Sequence, residues 1–318
     1  MNRRRRVALI EIGTNSAKLL IADAAPAGYR VRAAQRRTTR FGRGLARGGR
    51  IEEAGLSATI AAVRSFRRTA RDHRCDALFA FSTYALRRVS NPQDVARKLE
   101  AALGAPLRIL SGRDEARLAY ESARHRLPLR RPVTFLADVG GGSTELVVAR
   151  RGRVVFARSI PIGALHLTER FLHADPIAES EFASLTAHVD RAVASALRSA
   201  RIGRTPPRDI ALAGSGGAVG ALAWMIASQR RARPSERTLP QTIRLGEASL
   251  FLDRCLALPL RERRRIRGLE PDRAEIVCAG LAIALRVMRG LRKRALLPNQ
   301  GGVRDGALLH LIQNGYRW

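Results

Sequence analysis

The chain repeats itself once. LIEIGTNSAKLLIA, residues 9 to 22, and LADVGGGSTELVVA, residues 136 to 149, run in step without a gap at an offset of 127 residues. Glu11 falls on Asp138, Gly13 on Gly140, Ser16 on Ser143, Leu19 on Leu146 and Ala22 on Ala149. Each copy is an apolar run, an acidic residue, a glycine-containing turn and a second apolar run, the pattern of strand, tight turn and strand. In the second copy LADV reads as a strand ending at Asp138 and ELVVA as a strand starting at Glu145. A unit repeated at that distance implies two similar domains.

Glycine takes positive φ without steric cost, and successive backbone N–H groups in such a turn form a concave anion site. An ordinary hairpin loop needs the same glycines. Two copies, with Asp138 and Glu145 flanking the second, point instead to a pair of phosphate-holding turns, the carboxylates holding Mg²⁺ on the phosphate oxygens. A ligand held between the turns would lie in an interdomain cleft.

At 318 residues, 46% of them apolar, the chain has room for two domains with substantial cores of Leu, Val, Ile and Ala. No apolar stretch approaches the ~20 residues of a membrane helix. MNRRRR is basic, but its apolar run is too short for a signal peptide, so the expected location is cytoplasmic, with no membrane partner. Cys75, Cys255 and Cys278 are far apart and form neither a disulfide framework nor a metal pattern. Each reads as a small buried residue.

The net charge of +31 attracts polyanions. Of the 58 basic residues only Lys18, Lys98 and Lys293 are lysine, a skew that resembles the codon bias of a GC-rich genome. Part of the charge therefore reads as solvated surface, including the clusters Arg3 to Arg6, Arg230 to Arg233 and Arg263 to Arg265. No helix-turn-helix, zinc or RNP-type motif is present, so no specific nucleic-acid partner is expected.

The order of elements is α/β. Strands at 7–12 and 17–23 and an extended YRVRAAQRRTTRF are followed by a helix from Glu52 to Arg71, the strand DALFAFST, the helix SNPQDVARKLEAAL and a short strand LRIL. Ser111 can cap the next helix, GRDEARLAYESARH. RLPLRRP, residues 126 to 132, reads as a linker, which sets the domains at 1–128 and 129–318, the last helix packing back on the first domain. The second half repeats the three strands, continues with a helix over 178–200 and the strand DIALAG, and from Leu245 onward reads as mainly helical.

Three further stretches carry chemistry. Asp114 and Glu115 fall in a helix first turn, where the dipole alone favours carboxylates. One of them can instead deprotonate an attacking water. Arg87 and Arg88 follow a buried strand and can fork onto phosphate oxygens. Gly214, Ser215, Gly216 and Gly217 form a third glycine-rich turn at a helix start, suited to phosphate. There is no GxxxxGK[ST], so P-loop chemistry is not supported.

The acidic-x-Gly turns resemble the phosphate-binding hairpins of the actin, hexokinase and Hsp70 superfamily. Eight ordered blocks, EIGTNSAKLLI, TYALRRVSN, ILSGRDEARLAY, LADVGGGSTELVV, SIPIGALHLTERF, ALAGSGGAVGALA, LEPDRAEIVCAGLAI and GGVRDGALL, resemble the exopolyphosphatase / guanosine pentaphosphate phosphohydrolase (Ppx/GppA) phosphatase family, in its short two-domain form. The resemblance implies an α/β fold of two ribonuclease H-like domains with an interdomain cleft, and a homodimer. It implies Glu115 as catalytic base and Arg87 as the family arginine. Asp138, Glu145 and Glu11 are implied near Mg²⁺ or Mn²⁺. The implied phosphate cradles are Gly13, Thr14, Asn15 and Ser16; Gly140, Gly141, Gly142, Ser143 and Thr144; and Gly214 to Gly217.

Three positions depart from the family pattern. Glu11 replaces an aspartate, and its extra methylene weakens or makes water-mediated any Mg²⁺ contact, since Mg²⁺ demands near-octahedral geometry. Ala218 replaces a threonine, and Asp114 a glutamate. Hydrolysis of terminal phosphate from polyphosphate, hydrolysis of guanosine pentaphosphate, and non-hydrolytic binding of either remain open, Glu11 and Ala218 favouring the last. A kinase is a fourth option, disfavoured by the SGxxEA block.

Overall fold

The chain builds two sheets of the same plan. The computed structural model describes residues 5–26, 28–203, 205, 207–231 and 233–318; Arg3 and Arg4 of the first basic cluster and residue 232 within the second lie outside them. The chain divides into two compact units, Met1–Ser122 with Val303–Trp318, and Ala123–Gly302. The division falls inside a continuous helix, Gly112–Arg126, and not in the proline-containing stretch expected to separate the domains.

In the first unit β1 (Arg5–Ile12), β2 (Ser16–Ala25) and β3 (Gly28–Thr38) are antiparallel neighbours. Helices α1 (Leu45–Gly48) and α2 (Glu53–Asp72) lead to β4 (Ala77–Ser82), which pairs in parallel with β1. Helices α3 (Tyr84–Arg88) and α4 (Pro92–Leu103) lead to β5 (Leu107–Ile109), and α5 (Gly112–Arg126) follows. The sheet order is β3-β2-β1-β4-β5.

The second unit starts with β6 (Val133–Val139), β7 (Thr144–Arg150) and β8 (Arg153–Ile160), then α6 (Ala164–Phe171), α7 (Glu179–Ser199), β9 (Ile210–Gly216) and α8 (Gly217–Arg230). It continues with β10 (Ile243–Arg244), α9 (Leu245–Ala257), α10 (Leu260–Arg263), α11 (Val277–Gly290) and β11 (Ala295–Pro298). The order is β10-β11-β9-β6-β7-β8, so apart from β10 both sheets have three antiparallel strands followed by two parallel ones. The last helix, α12 (Val303–Gln313), belongs to the first unit.

The repeat extends into backbone detail. The register of β2 against β3 shifts between Ile21 and Ala22, and that of β7 against β8 between Val148 and Ala149, again 127 residues apart. A bulge at the same place gives both hairpins the same added twist. Central strands β1 and β6 are buried on both faces, which is why they read as continuous apolar runs. Edge strands β3 and β8 expose arginines, among them Arg32 and Arg158, which discourages pairing with another chain.

Each unit has its own core. In the first, Ile10, Ile12, Leu19 and Ile21 pack with Val63 and Phe66 of α2 and Leu99 of α4. In the second, Phe135, Leu146 and Val148 pack with Val189 and Val193 of α7 and with α11, whose residues are buried nearly all round. Each large side chain so buried contributes about 1.5–3 kcal/mol. In the first unit α12 meets α5 where Gly306 lies against the Leu118 carbonyl, so close that a Cβ would be 1.8 Å from it.

One strand, β11, lies within the stretch expected to be mainly helical, and another, β10, lies just before it. Runs of two and four residues carry no readable period. Likewise α3 and α6, of five and eight residues, are helices that the sequence pattern did not reveal.

Two outcomes follow from this packing. A Cβ at Gly163 would sit 2.3 Å from the carbonyl carbon of Gly142, so Gly163→Ala is expected to destabilise the second unit by about 1–3 kcal/mol in chemical denaturation. In the first unit Asp23 accepts hydrogen bonds from Arg6 at 2.7 Å and Arg32 at 2.6 Å, which together draw its pKa from 3.8 to about 2. A depressed carboxylate stabilises fully above its unfolded value and loses that contribution as pH falls through the folded one. Asp23→Asn is therefore expected to lower Tm by a few degrees at neutral pH, about 1 kcal/mol after solvent screening, with the difference from wild type vanishing as pH approaches about 2.

Candidate active site

Glu115 lies in the first turn of α5 and is 5% exposed. Its Oε2 is 2.7 Å from Nη1 of Arg87, which also donates to the Leu110 carbonyl at 2.8 Å. Arg87 thus ties α3 to the residue after β5 and to the start of α5. The neighbouring Asp114 has a different role. It is partly exposed and exchanges hydrogen bonds with Ser111, whose Oγ accepts from the Asp114 N–H and donates to its carboxylate. This is helix capping. Of the two adjacent carboxylates, one secures the helix end and the other is buried and held by an arginine.

The two hairpins are built alike. The Gly13 N–H donates to the Ser16 carbonyl at 3.1 Å and the Gly140 N–H to the Ser143 carbonyl at 2.9 Å. In the first unit the Thr14 carbonyl accepts from the Gly42 N–H, and the Asn15 carbonyl from those of Thr39 and Arg40. In the second the Gly140 carbonyl accepts from Ala164, and the Gly141 carbonyl from Leu165 and His166 at the start of α6. Gly163 is what lets these groups approach. Both loops turn their carbonyls into the protein, and among the described residues the N–H groups of Gly141, Gly142 and Ser143 donate to no backbone carbonyl. That is the polarity a nest for an anion needs.

The side chains across the sheets differ. In the second unit Asp138 is the register partner of Glu145 on one side and Ser215 on the other, and Glu145 is the partner of Ser159. Glu145 Oε1 accepts from the hydroxyls of Ser143 and Ser159, each at 2.7 Å. Asp138, Glu145 and Ser215 are all buried, and Ser215 Oγ has no hydrogen-bond partner among the described residues. In the first unit the matching row is Arg36, Lys18, Glu11 and Phe81. There Lys18 Nζ donates to Glu11 Oε1 at 2.9 Å.

Gly214 to Gly217 form no separate turn. Gly214, Ser215 and Gly216 complete β9, and α8 starts at Gly217. Gly216 has φ of 90°, and a Cβ there would clash with the Val139 carbonyl at 2.2 Å and Asp138 Oδ1 at 2.7 Å. A Cβ at Gly217 would be 2.0 Å from Nη1 of Arg273. Arg273 is itself paired with Glu270. Ala218 is buried with its methyl against Gly280 of α11, where a Cβ on Gly280 would lie 2.6 Å away, so a small residue suits the position.

No group of three or more His, Cys, Asp and Glu residues able to hold a metal is found among the described residues. Mg²⁺ asks for less, being held by one or two carboxylates with waters and substrate phosphates. Asp138 and Glu145, opposed across one strand pair with an unfilled hydroxyl alongside, fit that donor set. Two of the three thiols are held protonated: burial pushes the half-buried Cys75 thiol up to about 11, and the hydrogen bond to Cys255, then burial, raises that of Cys278, while the same hydrogen bond lowers that of Cys255, which is fully buried. No described helix is long and apolar enough to cross a membrane.

Within the first unit the structure brings Glu115 together with Arg87, and Glu11 together with Lys18. Within the second it brings Asp138, Glu145, Ser143 and the Gly216 turn together. Lys18, Ser159 and Arg273 were not singled out from the sequence. The 127-residue offset does set Lys18 on Glu145, which was the available signal for the first of them.

The Ppx/GppA phosphatase family model matches residues 20–314. Exopolyphosphatase 2 of Mycobacterium tuberculosis is 30% identical over 96% of this chain and 98% of its own. Exopolyphosphatase 1 of the same organism is 26% identical over 97% and 89%. The crystal structure of an exopolyphosphatase from Cytophaga hutchinsonii superposes with a TM-score of 0.89 over 98% of this chain and 99% of that one, at 22% identity, a likeness of fold. Both sheets have the plan of the actin/hexokinase-like fold, and the chain belongs to the Ppx/GppA phosphatase family.

Proposed function

We propose that the chain is an exopolyphosphatase, releasing orthophosphate from the end of inorganic polyphosphate. The observation that carries this reading is the buried Glu115 held by Arg87 while Asp114 is taken up in capping. The names of the mycobacterial relatives support the substrate class.

A phosphoanhydride carries dense negative charge, and its hydrolysis needs a positioned water and neutralisation of the phosphoryl oxygens. Glu115 takes a proton from water as the water oxygen bonds to the terminal phosphorus. The bridging P–O bond breaks, and the shortened chain leaves with the electron pair. Arg87 fixes the Glu115 carboxylate through its link to the Leu110 carbonyl. The hairpin N–H groups donate to phosphoryl oxygens. Asp138 and Glu145 would hold Mg²⁺ or Mn²⁺, which when bound supplies charge neutralisation. The basic surface retains the rest of the polymer through salt-sensitive contacts.

Timed orthophosphate release from long-chain polyphosphate and from guanosine pentaphosphate, with and without divalent metal, tests the reading. Faster release from polyphosphate is expected. Preference for guanosine pentaphosphate would overturn the substrate, and tight binding without release would overturn the hydrolase. Glu115→Gln is expected to lower kcat by roughly 10²–10⁴ with polyphosphate binding retained. Arg87→Lys keeps the charge but not the rigid fork, and a fall in kcat of about 10–100-fold is expected, since misplacing a catalytic group costs that much.

A further inference from the structure

Two of the three cysteines meet in the second unit. Cys255 lies in the last turn of α9 and Cys278 in the first turn of α11, and the two helices pack against each other. Both side chains are fully buried in one apolar core, and the two thiols are hydrogen-bonded to each other. A buried cysteine on its own is ordinarily a small, inert apolar residue. A pair whose sulfurs already touch is different, because small rotations of the two side chains bring them to disulfide distance.

The pair lies beside a buried cation. Arg263 of α10 is 3% exposed and donates to the carbonyls of Leu258 and Ala274. Its one ion pair among the described residues is with Asp175 at 3.5 Å, an exposed carboxylate. A guanidinium taken out of water needs negative charge nearby, and a long contact to an exposed carboxylate gives little of it. The field of Arg263 acts on both thiols and favours a thiolate. The hydrogen bond from Cys278 lowers the Cys255 thiol against the opposing effect of burial, Arg263 and Arg254 adding to the lowering, and the same bond raises that of Cys278.

We propose that Cys255 attacks hydrogen peroxide and then closes an intramolecular disulfide with Cys278, linking α9 to α11. The Cys255 thiolate bonds to one peroxide oxygen, the O–O bond breaks, and the leaving hydroxide takes the Cys278 proton and departs as water. Cys255 is then a sulfenic acid. The Cys278 thiolate attacks that sulfur, the S–O bond breaks, and the expelled hydroxide takes up the proton that Cys255 gave up on ionising. Two thiols thus lose two electrons and two protons to one peroxide, which becomes two waters. Neither thiol presents any surface, so the pair is closed to disulfides the size of glutathione disulfide, whereas an oxidant little larger than water enters through local opening. The link closes a loop around Arg263 and Arg273, and constraining the unfolded chain in this way stabilises the second unit. None of this depends on the phosphohydrolase reading.

Treatment of the full native chain with hydrogen peroxide, followed by free-thiol counting, intact mass and peptide mapping, tests it. Joint loss of the Cys255 and Cys278 thiols, a mass lower by two hydrogens, a linked Cys255–Cys278 peptide and reversal by dithiothreitol are expected, and Cys75→Ser should leave these results unchanged. Cys278→Ala should trap a sulfenic acid at Cys255 that dimedone labels, and Cys255→Ala should leave Cys278 unreacted over the same time. Should an alanine variant not fold, mapping of wild type and Cys75→Ser still decides. Glutathione disulfide in place of peroxide should leave both thiols free. The oxidised chain should unfold at a temperature higher by roughly 5–10 °C than the same sample reduced. Unlinked sulfinic acids at the two positions, oxidation of Cys75 with the pair untouched, dimedone labelling of Cys278 and not Cys255, or a link formed equally fast by glutathione disulfide overturns the proposal. An unchanged unfolding temperature overturns its stabilising role.

Discussion

A carboxylate taken out of water must find a counter-charge or donors, and that requirement organises both units. Glu11 is met by Lys18, Asp23 by Arg6 and Arg32, and Glu115 by Arg87. In a chain with net charge +31, a guanidinium is the readily available partner. The row containing Asp138 and Glu145 meets the requirement in part with hydroxyls of its own strands. Hydroxyls at 2.7 Å satisfy one oxygen of Glu145, and no arginine stands beside it in register.

The repeat separates what backbone geometry demands from what chemistry selects. Both hairpins keep the glycine, the N–H to carbonyl contact across the turn and the bulge 127 residues apart. These fix strand twist and turn the loop carbonyls inward, which any anion-binding hairpin on this sheet needs. The facing side chains are free of that demand, and there the copies diverge, Lys18 standing where Glu145 stands. Membership of the Ppx/GppA phosphatase family fits a scaffold that keeps the turn and varies its rim.

Much of the fold was legible because the signals were local and repeated. The three antiparallel strands of each unit, the long helices α2, α7 and α11 and the cap at Ser111 followed from apolar period and capping chemistry. Short elements were not: α3, α6, β10 and β11 span too few residues for any period to show. The Gly214–Gly217 stretch read as a turn because glycine marks turns, whereas β9 runs directly into α8 there, Gly216 alone taking positive φ.

By itself the sequence determined that there are two copies of a glycine-turned hairpin, that carboxylates stand at their rims, and that the chain resembles a phosphohydrolase family, since these depend on residue type and spacing along one dimension. Only the tertiary structure decided which carboxylate takes part in capping and which is buried, because Asp114 and Glu115 are adjacent in the chain and α5 sends them in different directions. It likewise decided that Glu11 holds an ammonium while Asp138 faces Glu145. Register across strands is set by the turn and the bulge, and a shift of one residue would have sent each of those side chains to the opposite face.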